Sequence, residues 1–329
     1  MTEIAARGSH IVGLGHYQPE RVLTNDELST LVDTSDEWIT TRTGIKTRHI
    51  ATADETVASM ATEAARNALA DAGLEPTDIS MVIVASTSST HRSPNAAARV
   101  ATTLGVGGPA ILDINTACSG FEYGVALADQ AIRAGAAERV LVVGSEKLSA
   151  ITDWTDRTTC VLTADGAGAA ILEATSGEAK PEVGPVLWGS VPEMLDAIRV
   201  DGDPEIFSQE GRTIYRWAIT EAAGIARRIV ETSGIALADI DVFAFHQANL
   251  RIIEPLAEAL GATGKIVIRD IVESGNTSAA SVPLGLSKAW HRGELPPGSQ
   301  ALLFGFGGGF TYAGQVVRLP RHTPVPQAG

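Results

Sequence analysis

Cys118 is one of only two cysteines in a chain of 329 residues, and its position is suited to chemistry. It follows the apolar run "AILDIN" and precedes a stretch with the pattern of a helix, which we expect to begin at about Ser119. The N-terminus of a helix carries partial positive charge and free N–H groups, which lower the pKa of a thiol and favour the nucleophilic thiolate. The alternative is a small apolar residue that packs at a turn.

Two more polar residues are predicted to follow strands in the second part of the chain. His246 ends the apolar run "VFAFH", and Asn276 lies in the turn "ESGNTSAAS". Active sites of α/β sheets lie beyond the carboxyl ends of strands, so these residues could share a cleft with Cys118. A thiolate that accepts an acyl group, with two donors that stabilise a negative oxygen, favours acyl transfer. A histidine at a strand end can equally be structural, and no cysteine or histidine pair has the spacing of metal ligands.

The glycine-rich run "GFGGGF" at 305–310 does not have the pattern of a dinucleotide-binding loop. It lacks the GxGxxG spacing at the start of a long helix, and no acidic residue follows about 20 residues later. Glycine permits close approach of the backbone to another group, so this run could bring backbone near a reacting atom. A tight turn between two strands is the alternative.

The elements that would position these residues occur twice along the chain. The segment "TEAARNALADAGLEPTDISMVIVAS" from Thr62 resembles "TEAAGIARRIVETSGIALADIDVFAFH" from Thr220. In the same order, "NTACSGFEYGVALADQAIRAG" from Asn115 resembles "NTSAASVPLGLSKAWHRG" from Asn276. The first pair predicts a helix, a glycine stop and a buried strand, and the second predicts a turn and a helix that leads into another strand. Two matches in the same order indicate two similar α/β halves.

The division between the halves is expected in "EATSGEAKPEVGP", which gives residues 1–178 and 179–329. The repeat places Ala279 where the first half has Cys118, so the fold itself does not require a thiol at this turn. Continuous apolar strands such as "MVIVAS" and "RVLVVG" indicate sheets with helices on both faces.

The composition of the chain argues against nucleic-acid binding and against a membrane-spanning protein. The net charge is −14 and no basic run occurs, so binding along a nucleic-acid backbone is not expected. No apolar run approaches the ~20 residues of a membrane-spanning helix. The N-terminal "MTEIAARGSH" does not resemble a signal peptide. We therefore expect a cytoplasmic protein without a structural disulfide between Cys118 and Cys160, and we expect Cys160 to pack in the core.

Seven blocks of the sequence resemble the thiolase-superfold condensing enzymes, specifically β-ketoacyl-acyl-carrier-protein synthase III. They span nearly the whole chain in the family's order: "VDTSDEWITTRTGIKTRHI", "NTACSGFEYG", "DWTDRTTCVL", "DGAGAA", "HQANLRII", "GNTSAAS" and "FGFGGGFTYAG". The last block lacks the second catalytic cysteine of thiolases, and Asn276 stands where chain-elongating synthases have a second histidine. The resemblance implies covered mixed sheets in a layered α-β-α-β-α arrangement and an enzyme that takes a CoA-bound primer.

By this resemblance, Cys118 is acylated by an acyl-CoA, and malonyl-acyl carrier protein then binds and loses CO2. His246 and Asn276 donate hydrogen bonds to the resulting enolate, whose carbon attacks the acyl group to give a 3-oxoacyl-acyl carrier protein. The backbone N–H groups of Cys118 and Gly308 form the oxyanion hole. These steps imply no metal or redox cofactor and initiate fatty-acid or polyketide synthesis. The alternatives are a related acyltransferase that forms an ester or amide without decarboxylation, and a binding or scaffold protein with an inactive site.

The expected CoA site begins in "TSDEWITTR", where Thr34 or Ser35 can cap a helix. Trp38 and Arg42 then lie one turn apart on the same face, where an indole and a guanidinium can hold a flat adenine. An exposed Trp–Arg pair that only supports the helix is the alternative. The substrate-binding residues implied by the resemblance also include Thr34, Arg157 and Asn249.

A docking surface for the carrier protein is also implied. Arg251 and Arg216 resemble the family's docking residues, and basic residues suit an acidic carrier protein. Glu258, in "LAEAL", stands where family members often add a basic residue, which weakens the expected patch.

The acyl pocket is expected to be larger than in acetyl-preferring members of the family. There, a Phe at the position of Ser93 reaches across a homodimer interface to the floor of the partner's pocket, and Thr163 replaces a second family aromatic residue. We therefore expect a homodimer that prefers branched, medium-length or otherwise bulky acyl-CoA primers to acetyl-CoA. Tyr215 could instead fill the space and keep the primer at acetyl.

Overall fold

The elements of the first half follow the pattern predicted from its sequence. The computed structural model describes residues 7–175 and 182–327. Helix α3 begins after Thr56, whose hydroxyl accepts the Ser59 N–H, and ends at Gly73, the predicted stop, whose φ of 64° suits glycine. The strands are β1 (Ser9–Tyr17), β2 (Val22–Thr24), β3 (Thr47–His49), β4 (Met81–Ala85), β5 (Ala110–Ile114), β6 (Arg139–Lys147) and β7 (Asp165–Ala174), and the helices are α1 (Asn25–Leu28), α2 (Asp36–Thr43), α3 (Val57–Ala72), α4 (Ala96–Leu104), α5 (Gly120–Arg133) and α6 (Arg157–Cys160).

The second half repeats the order of the main elements. Its helix α8 ends at Gly234, which has a φ of 70° and is again the predicted stop. The predicted division at residues 178 and 179 lies outside the described residues. The strands are β8 (Leu187–Ser190), β9 (Ile198–Asp201), β10 (Ile206–Gln209), β11 (Val242–Phe245), β12 (Ile266–Val267), β13 (Gln300–Gly307) and β14 (Thr311–Arg318), and the helices are α7 (Gly211–Thr220), α8 (Ala222–Ser233), α9 (Leu250–Ala259), α10 (Ile271–Ser274) and α11 (Ser281–His291).

Each half contains a five-stranded mixed sheet, and the two sheets have the same topology. The strand order is β1-β7-β6-β4-β5 in the first sheet and β8-β14-β13-β11-β12 in the second. In both, the three strands nearest one edge run parallel and the other pairs are antiparallel. The prediction of two similar α/β halves with mixed sheets is therefore confirmed.

Three apolar cores separate five layers of structure. Helices α5 and α11 contact both sheets and form the central layer, while α3 and α4 cover the outer face of the first sheet and α8 covers that of the second. One core lies under α3 and α4, one lies between the sheets around Phe121 and Trp290, and the third lies on the outer face of the second sheet. The layered α-β-α-β-α arrangement is thus confirmed, and it brings the ends of β5 and β11 to the middle of the molecule.

Both cysteines are free, and Cys160 belongs to the third core with no exposed surface, as predicted. Over residues 7–175 and 182–327, no helix combines the length and the apolar character that crossing a membrane requires.

Candidate active site

Cys118 lies in a strained turn between β5 and α5. The turn is a 3-10 helix at Ala117–Ser119, and α5 begins at Gly120, one residue later than predicted. Ala117 has a φ of 45°, in the left-handed region that costs a residue with a Cβ roughly 1–2 kcal/mol. The side chain of Asn115 supports this conformation, because its Oδ1 accepts the Ala117 N–H at 3.2 Å.

The second half contains the same turn without the thiol. Ser278 also has a φ of 45°, and Asn276 Oδ1 accepts its N–H at 2.9 Å. The 3-10 turn Ser278–Ala280 then leads into α11, and Ala279 occupies the place of Cys118. The strained turn therefore belongs to the fold, and the thiol is specific to the first half.

Each turn packs against a strand of the opposite half. Gly307, the last residue of β13, is extended at Cys118, and a Cβ there would lie 2.6 Å from the Cys118 sulfur. The 3-10 turn Gly308–Phe310 then joins β13 to β14. Both readings of "GFGGGF" are thus correct: the run is a tight turn, and it brings backbone close to the thiol.

The residue that corresponds to Gly307 in the first half is Glu146 on β6. The two positions correspond because β6 and β13 have the same register against β4 and β11. The buried Glu146 carboxylate accepts the N–H groups of Thr87 at 3.1 Å and Ser88 at 3.0 Å, and the Ala279 N–H lies 3.4 Å from Oε1. A carboxylate therefore fills the turn of the second half, whereas the turn at Cys118 stays open.

The thiol of Cys118 is buried, with 8% of the residue exposed. Burial raises its pKa to about 11 and the nearby Glu146 charge adds to the rise, while the Ser278 hydroxyl and the backbone N–H groups of Gly308 and Cys118 favour the thiolate and oppose the rise. The expected lowering of the thiol pKa is therefore wrong, because the loss of water around the sulfur outweighs the donors at the turn.

His246 follows β11 directly and is fixed by buried contacts. Its backbone N–H donates to Phe304 O at 2.8 Å, and its ring meets Phe306 edge-on with centroids 6.0 Å apart. Ring Nδ1 lies 2.7 Å from Ser281 Oγ. Burial lowers the pKa of the imidazole to about 3, so the ring is neutral at physiological pH.

Asn276 is held by backbone and side chain together. Its N–H donates to Leu162 O at 2.8 Å and its carbonyl accepts the Ala164 N–H at 2.9 Å. Because Oδ1 already accepts the Ser278 N–H, the amide NH2 is the group left to point a donor into the cavity.

One cavity of about 1080 Å³ joins these groups to the predicted CoA site. Its wall includes the β9–β10 hairpin, which contributes apolar side chains that the sequence analysis missed, because neither short strand carries a motif. Those side chains are Ile198, Val200 and Phe207. The predicted residues that line the cavity are Trp38, Arg42, Cys118, Tyr215, His246, Asn249, Arg251, Asn276 and Gly308.

The indole of Trp38 lies close to two guanidinium groups at one end of the cavity. Arg42 Cζ is 4.7 Å and Arg157 Cζ is 4.9 Å from the ring centroid, so α2 and α6 bring the predicted trio together. Ser35, rather than Thr34, caps α2, because its hydroxyl accepts the Trp38 N–H at 3.1 Å. The two cation–π pairs around one indole make this end of the cavity positively charged.

Asn249 and Arg251 lie at the start of α9, beside the same end of the cavity. Asn249 caps the helix through Oδ1 and donates from Nδ2 to Arg42 O at 3.0 Å. Arg251 Cζ lies 5.4 Å from the ring centroid of Tyr215, so Tyr215 packs against this arginine.

Five predicted site residues do not line the cavity: Thr34, Ser93, Arg157, Thr163 and Arg216. Arg157 reaches this site only through its contact with the Trp38 ring. Thr163 is buried, and its hydroxyl accepts that of Thr152 at 2.8 Å, so it does not open the cavity as expected. Ser93 and Arg216 are exposed on the surface of the chain.

Sequence comparisons relate the chain to one family and to proteins that carry the name of that family. The family described as 3-oxoacyl-[acyl-carrier-protein (ACP)] synthase III matches residues 112–191, and its C-terminal domain matches residues 230–319. β-Ketoacyl-[acyl-carrier-protein] synthase III 4 of Streptomyces coelicolor is 58% identical over 314 residues, which cover 95% of this chain and 99% of that protein. The mycobacterial β-ketoacyl-[acyl-carrier-protein] synthase III of Mycobacterium tuberculosis is 45% identical and covers 98% of this chain and 100% of its own.

Solved structures with a similar fold include enzymes of the same kind. The priming β-ketosynthase from the R1128 polyketide biosynthetic pathway has a TM-score of 0.94 and 35% identity, over 98% of this chain and 99% of its own. The 3-oxoacyl-[acyl-carrier-protein] synthase III of Aquifex aeolicus has a TM-score of 0.89 and 40% identity, over 94% of this chain and 100% of its own.

Proposed function

Because the chain belongs to the 3-oxoacyl-[acyl-carrier-protein] synthase III family, we propose a role in the reaction for each group in its cavity. The protein is a condensing enzyme of the kind that initiates fatty-acid or polyketide synthesis. The observation that carries the proposal is the single cavity that contains Cys118, His246, Asn276 and the Gly308 backbone. The proposed substrates are an acyl-CoA primer and malonyl-acyl carrier protein.

The first step is transfer of the acyl group to Cys118. The sulfur attacks the acyl-CoA carbonyl, and the tetrahedral oxyanion receives the N–H groups of Cys118 and Gly308. Collapse of this intermediate expels CoA, which leaves with the proton that Cys118 has lost. Trp38, Arg42 and Arg157 would hold the nucleotide end of CoA, and Asn249 would support this site through the Arg42 carbonyl.

The second step forms the new carbon–carbon bond. The malonyl carboxylate leaves as CO2, and the enolate oxygen receives hydrogen bonds from His246 and the Asn276 amide. The enolate carbon attacks the acyl-Cys118 carbonyl, and the Cys118 thiolate leaves and regains a proton from solvent. These steps transfer an acyl group, release CO2 and move protons, so we propose that the enzyme uses no metal or redox cofactor.

We also propose a homodimer that acts in the cytoplasm. Strand β5 is an edge of the first sheet, and Ala110 and Ile111 are exposed on it, with Ile111 at 46%. An exposed strand edge with apolar side chains favours pairing with a second copy. Ser93 is exposed in one chain and would reach the partner's cavity across such an interface.

The proposed cytoplasmic location follows from the chemistry of Cys118. A nucleophile that must remain a free thiol supports a reducing compartment.

The experiment that tests the reaction follows the two steps separately. Incubation with a panel of acyl-CoAs, followed by intact-mass measurement, should show one acyl group on the wild type and none on Cys118→Ala. The Cys160→Ala variant is the matched control and should be acylated like the wild type.

Release of CO2 from malonyl-acyl carrier protein then tests the second step. His246→Ala should still accept the acyl group but lose decarboxylation by about 10²–10³-fold, as expected when an oxyanion donor is removed. Acyl transfer to an alcohol or amine without CO2 release by the wild type would contradict the proposed function.

A further inference from the structure

Ser281 contacts the ring of His246, the histidine that we place at the enolate. It is the first residue of α11 and is buried, with 1% of its surface exposed. Its Oγ lies 2.7 Å from His246 Nδ1 and also accepts the backbone N–H of Gln247 at 3.2 Å. The serine therefore contacts Nδ1, and among the contacts of the described residues Nε2 is left for the cavity that His246 lines.

The position of the hydroxyl proton follows from these two contacts. A serine hydroxyl has one proton and two acceptor lone pairs, and the Gln247 N–H can only donate, so it uses one lone pair. Among the contacts of the described residues, His246 Nδ1 is the acceptor available for the Ser281 proton. If Nδ1 instead carried a proton, two donors would point at Oγ and the serine proton would lack a partner in a buried place, which costs free energy.

We infer that Ser281 is a positioning residue that fixes His246 in the tautomer with its proton on Nε2. The inference rests on the proposed function, in which the cavity side of the ring donates to the enolate oxygen. The imidazole is neutral because burial lowers its pKa to about 3, so one nitrogen carries the proton and the other does not. An Nε2–H can donate to the enolate oxygen, but it cannot accept the proton of Cys118. By fixing this tautomer, Ser281 makes His246 serve decarboxylation and not acylation.

The tautomer can be measured on the full-length wild type. Nitrogen-15 chemical shifts of labelled histidine distinguish a protonated from an unprotonated ring nitrogen, and the His246→Ala spectrum assigns the signal among the seven histidines. We expect an unprotonated Nδ1 and a protonated Nε2 from pH 6 to 8. The opposite tautomer in the wild type would overturn the inference, and this result does not depend on any Ser281 variant that folds.

Rates of the two half-reactions give the second readout. Ser281→Ala should retain acylation by acyl-CoA but lose decarboxylation by about 10–10²-fold, less than the ~10²–10³-fold for removing a donor outright, because part of the population keeps the right tautomer. Its His246 signals should shift toward a mixture. Ser281→Thr keeps the hydroxyl and should recover most of the rate.

The chain contains a matched control on the same helix. Ser287 is also buried on α11, and its Oγ lies 3.0 Å from Nδ1 of His16, a residue outside the cavity lining. Ser287→Ala should leave both half-reactions and the His246 signals unchanged. Equal loss of acylation and decarboxylation in Ser281→Ala would indicate only a structural role and overturn the inference.

These measurements also separate the inference from the proposed function. A wild type that releases no CO2 from malonyl-acyl carrier protein would contradict the function, while the nitrogen shifts would still decide the tautomer. Normal CO2 release by Ser281→Ala would overturn the inference and leave the function standing.

Discussion

Ala117 and Ser278 have the same left-handed backbone conformation, with a φ of 45° in each, although they lie 161 residues apart. Ala117 follows strand β5, whereas Ser278 follows the short helix α10, and each directly precedes the residue that faces the opposite half, Cys118 in one turn and Ala279 in the other. Only one of these turns has a thiol, so the strain cannot be explained by the chemistry of Cys118 alone. The fold requires the turn, and the turn then presents whichever side chain comes next.

The reactivity of Cys118 toward an alkylating agent should depend steeply on pH. Since burial raises the pKa of this thiol to about 11, the thiolate fraction should rise about tenfold per pH unit from pH 7 to pH 10. Iodoacetamide labelling of the Cys118 peptide, followed by mass spectrometry, measures this rate. A rate that stops rising near pH 8 would contradict the raised pKa.

A side chain at position 307 should displace the nucleophile. In Gly307→Ala the new Cβ would lie 2.6 Å from the Cys118 sulfur, so the thiol must move, and a misplacement of about 1 Å can cost ~10²-fold in rate. Acylation should therefore fall by about this factor, as measured by single-turnover mass spectrometry. Gly107→Ala is the control, because its Cβ would meet no atom within 4 Å, and wild-type acylation by Gly307→Ala would contradict the prediction.

Charge reversal at the cavity mouth should raise KM for the carrier-protein substrate more than it changes acylation by acyl-CoA. Arg251 lines the cavity and packs on Tyr215, so Arg251→Glu should raise KM for malonyl-acyl carrier protein roughly fivefold to tenfold. Acylation by acyl-CoA should change little, and the difference in KM should shrink at high salt. Arg216→Glu tests the exposed arginine, whereas Arg228→Glu on α8 is a control outside the cavity lining. An unchanged KM in Arg251→Glu would remove this residue from the interface.

The primer preference should depend on Ser93. We expect higher kcat/KM for isobutyryl- or octanoyl-CoA than for acetyl-CoA, because each buried methylene contributes ~0.8 kcal/mol and three or four carbons give roughly two orders of magnitude. Ser93→Phe should reverse much of this preference, if the residue reaches the partner's cavity. Thr163→Phe should instead lower stability, since Thr163 is buried and hydrogen-bonded to Thr152. An acetyl preference that Ser93→Phe does not alter would contradict the prediction.

The repeat made much of the architecture predictable. Helix, glycine stop and strand recur with Gly73 and Gly234 as stops, and strands that repeat in sequence take equivalent places in the two sheets. The prediction that Cys118, His246 and Asn276 share one cavity is correct. The prediction that all three lie at strand-to-helix turns is wrong for Asn276, because the short helix α10 precedes it. Periodicity and turn residues are local signals, so a single sequence contains them.

The properties that the sequence did not predict depend on contacts between distant residues. The direction of the Cys118 pKa shift depends on how completely the opposite half covers the sulfur. The hydroxyl of Thr163 is used by Thr152, which no spacing reveals. Ser281 could have been noticed only as a polar residue at the start of an apolar helix, and its contact with His246 requires the packing of α11 against β11.

The different residues at the equivalent positions 146 and 307 should limit how many acyl groups one chain can carry at a time. Gly307 leaves the turn at Cys118 free for a substrate oxygen, whereas the Glu146 carboxylate already receives the Ala279 N–H. Placing a thiol in the second half through Ala279→Cys should therefore not create a second acceptor, because the Glu146 carboxyl group competes for the same donor. The two halves have the same topology but different residues at this turn, so we expect a stoichiometry of one acyl group per chain.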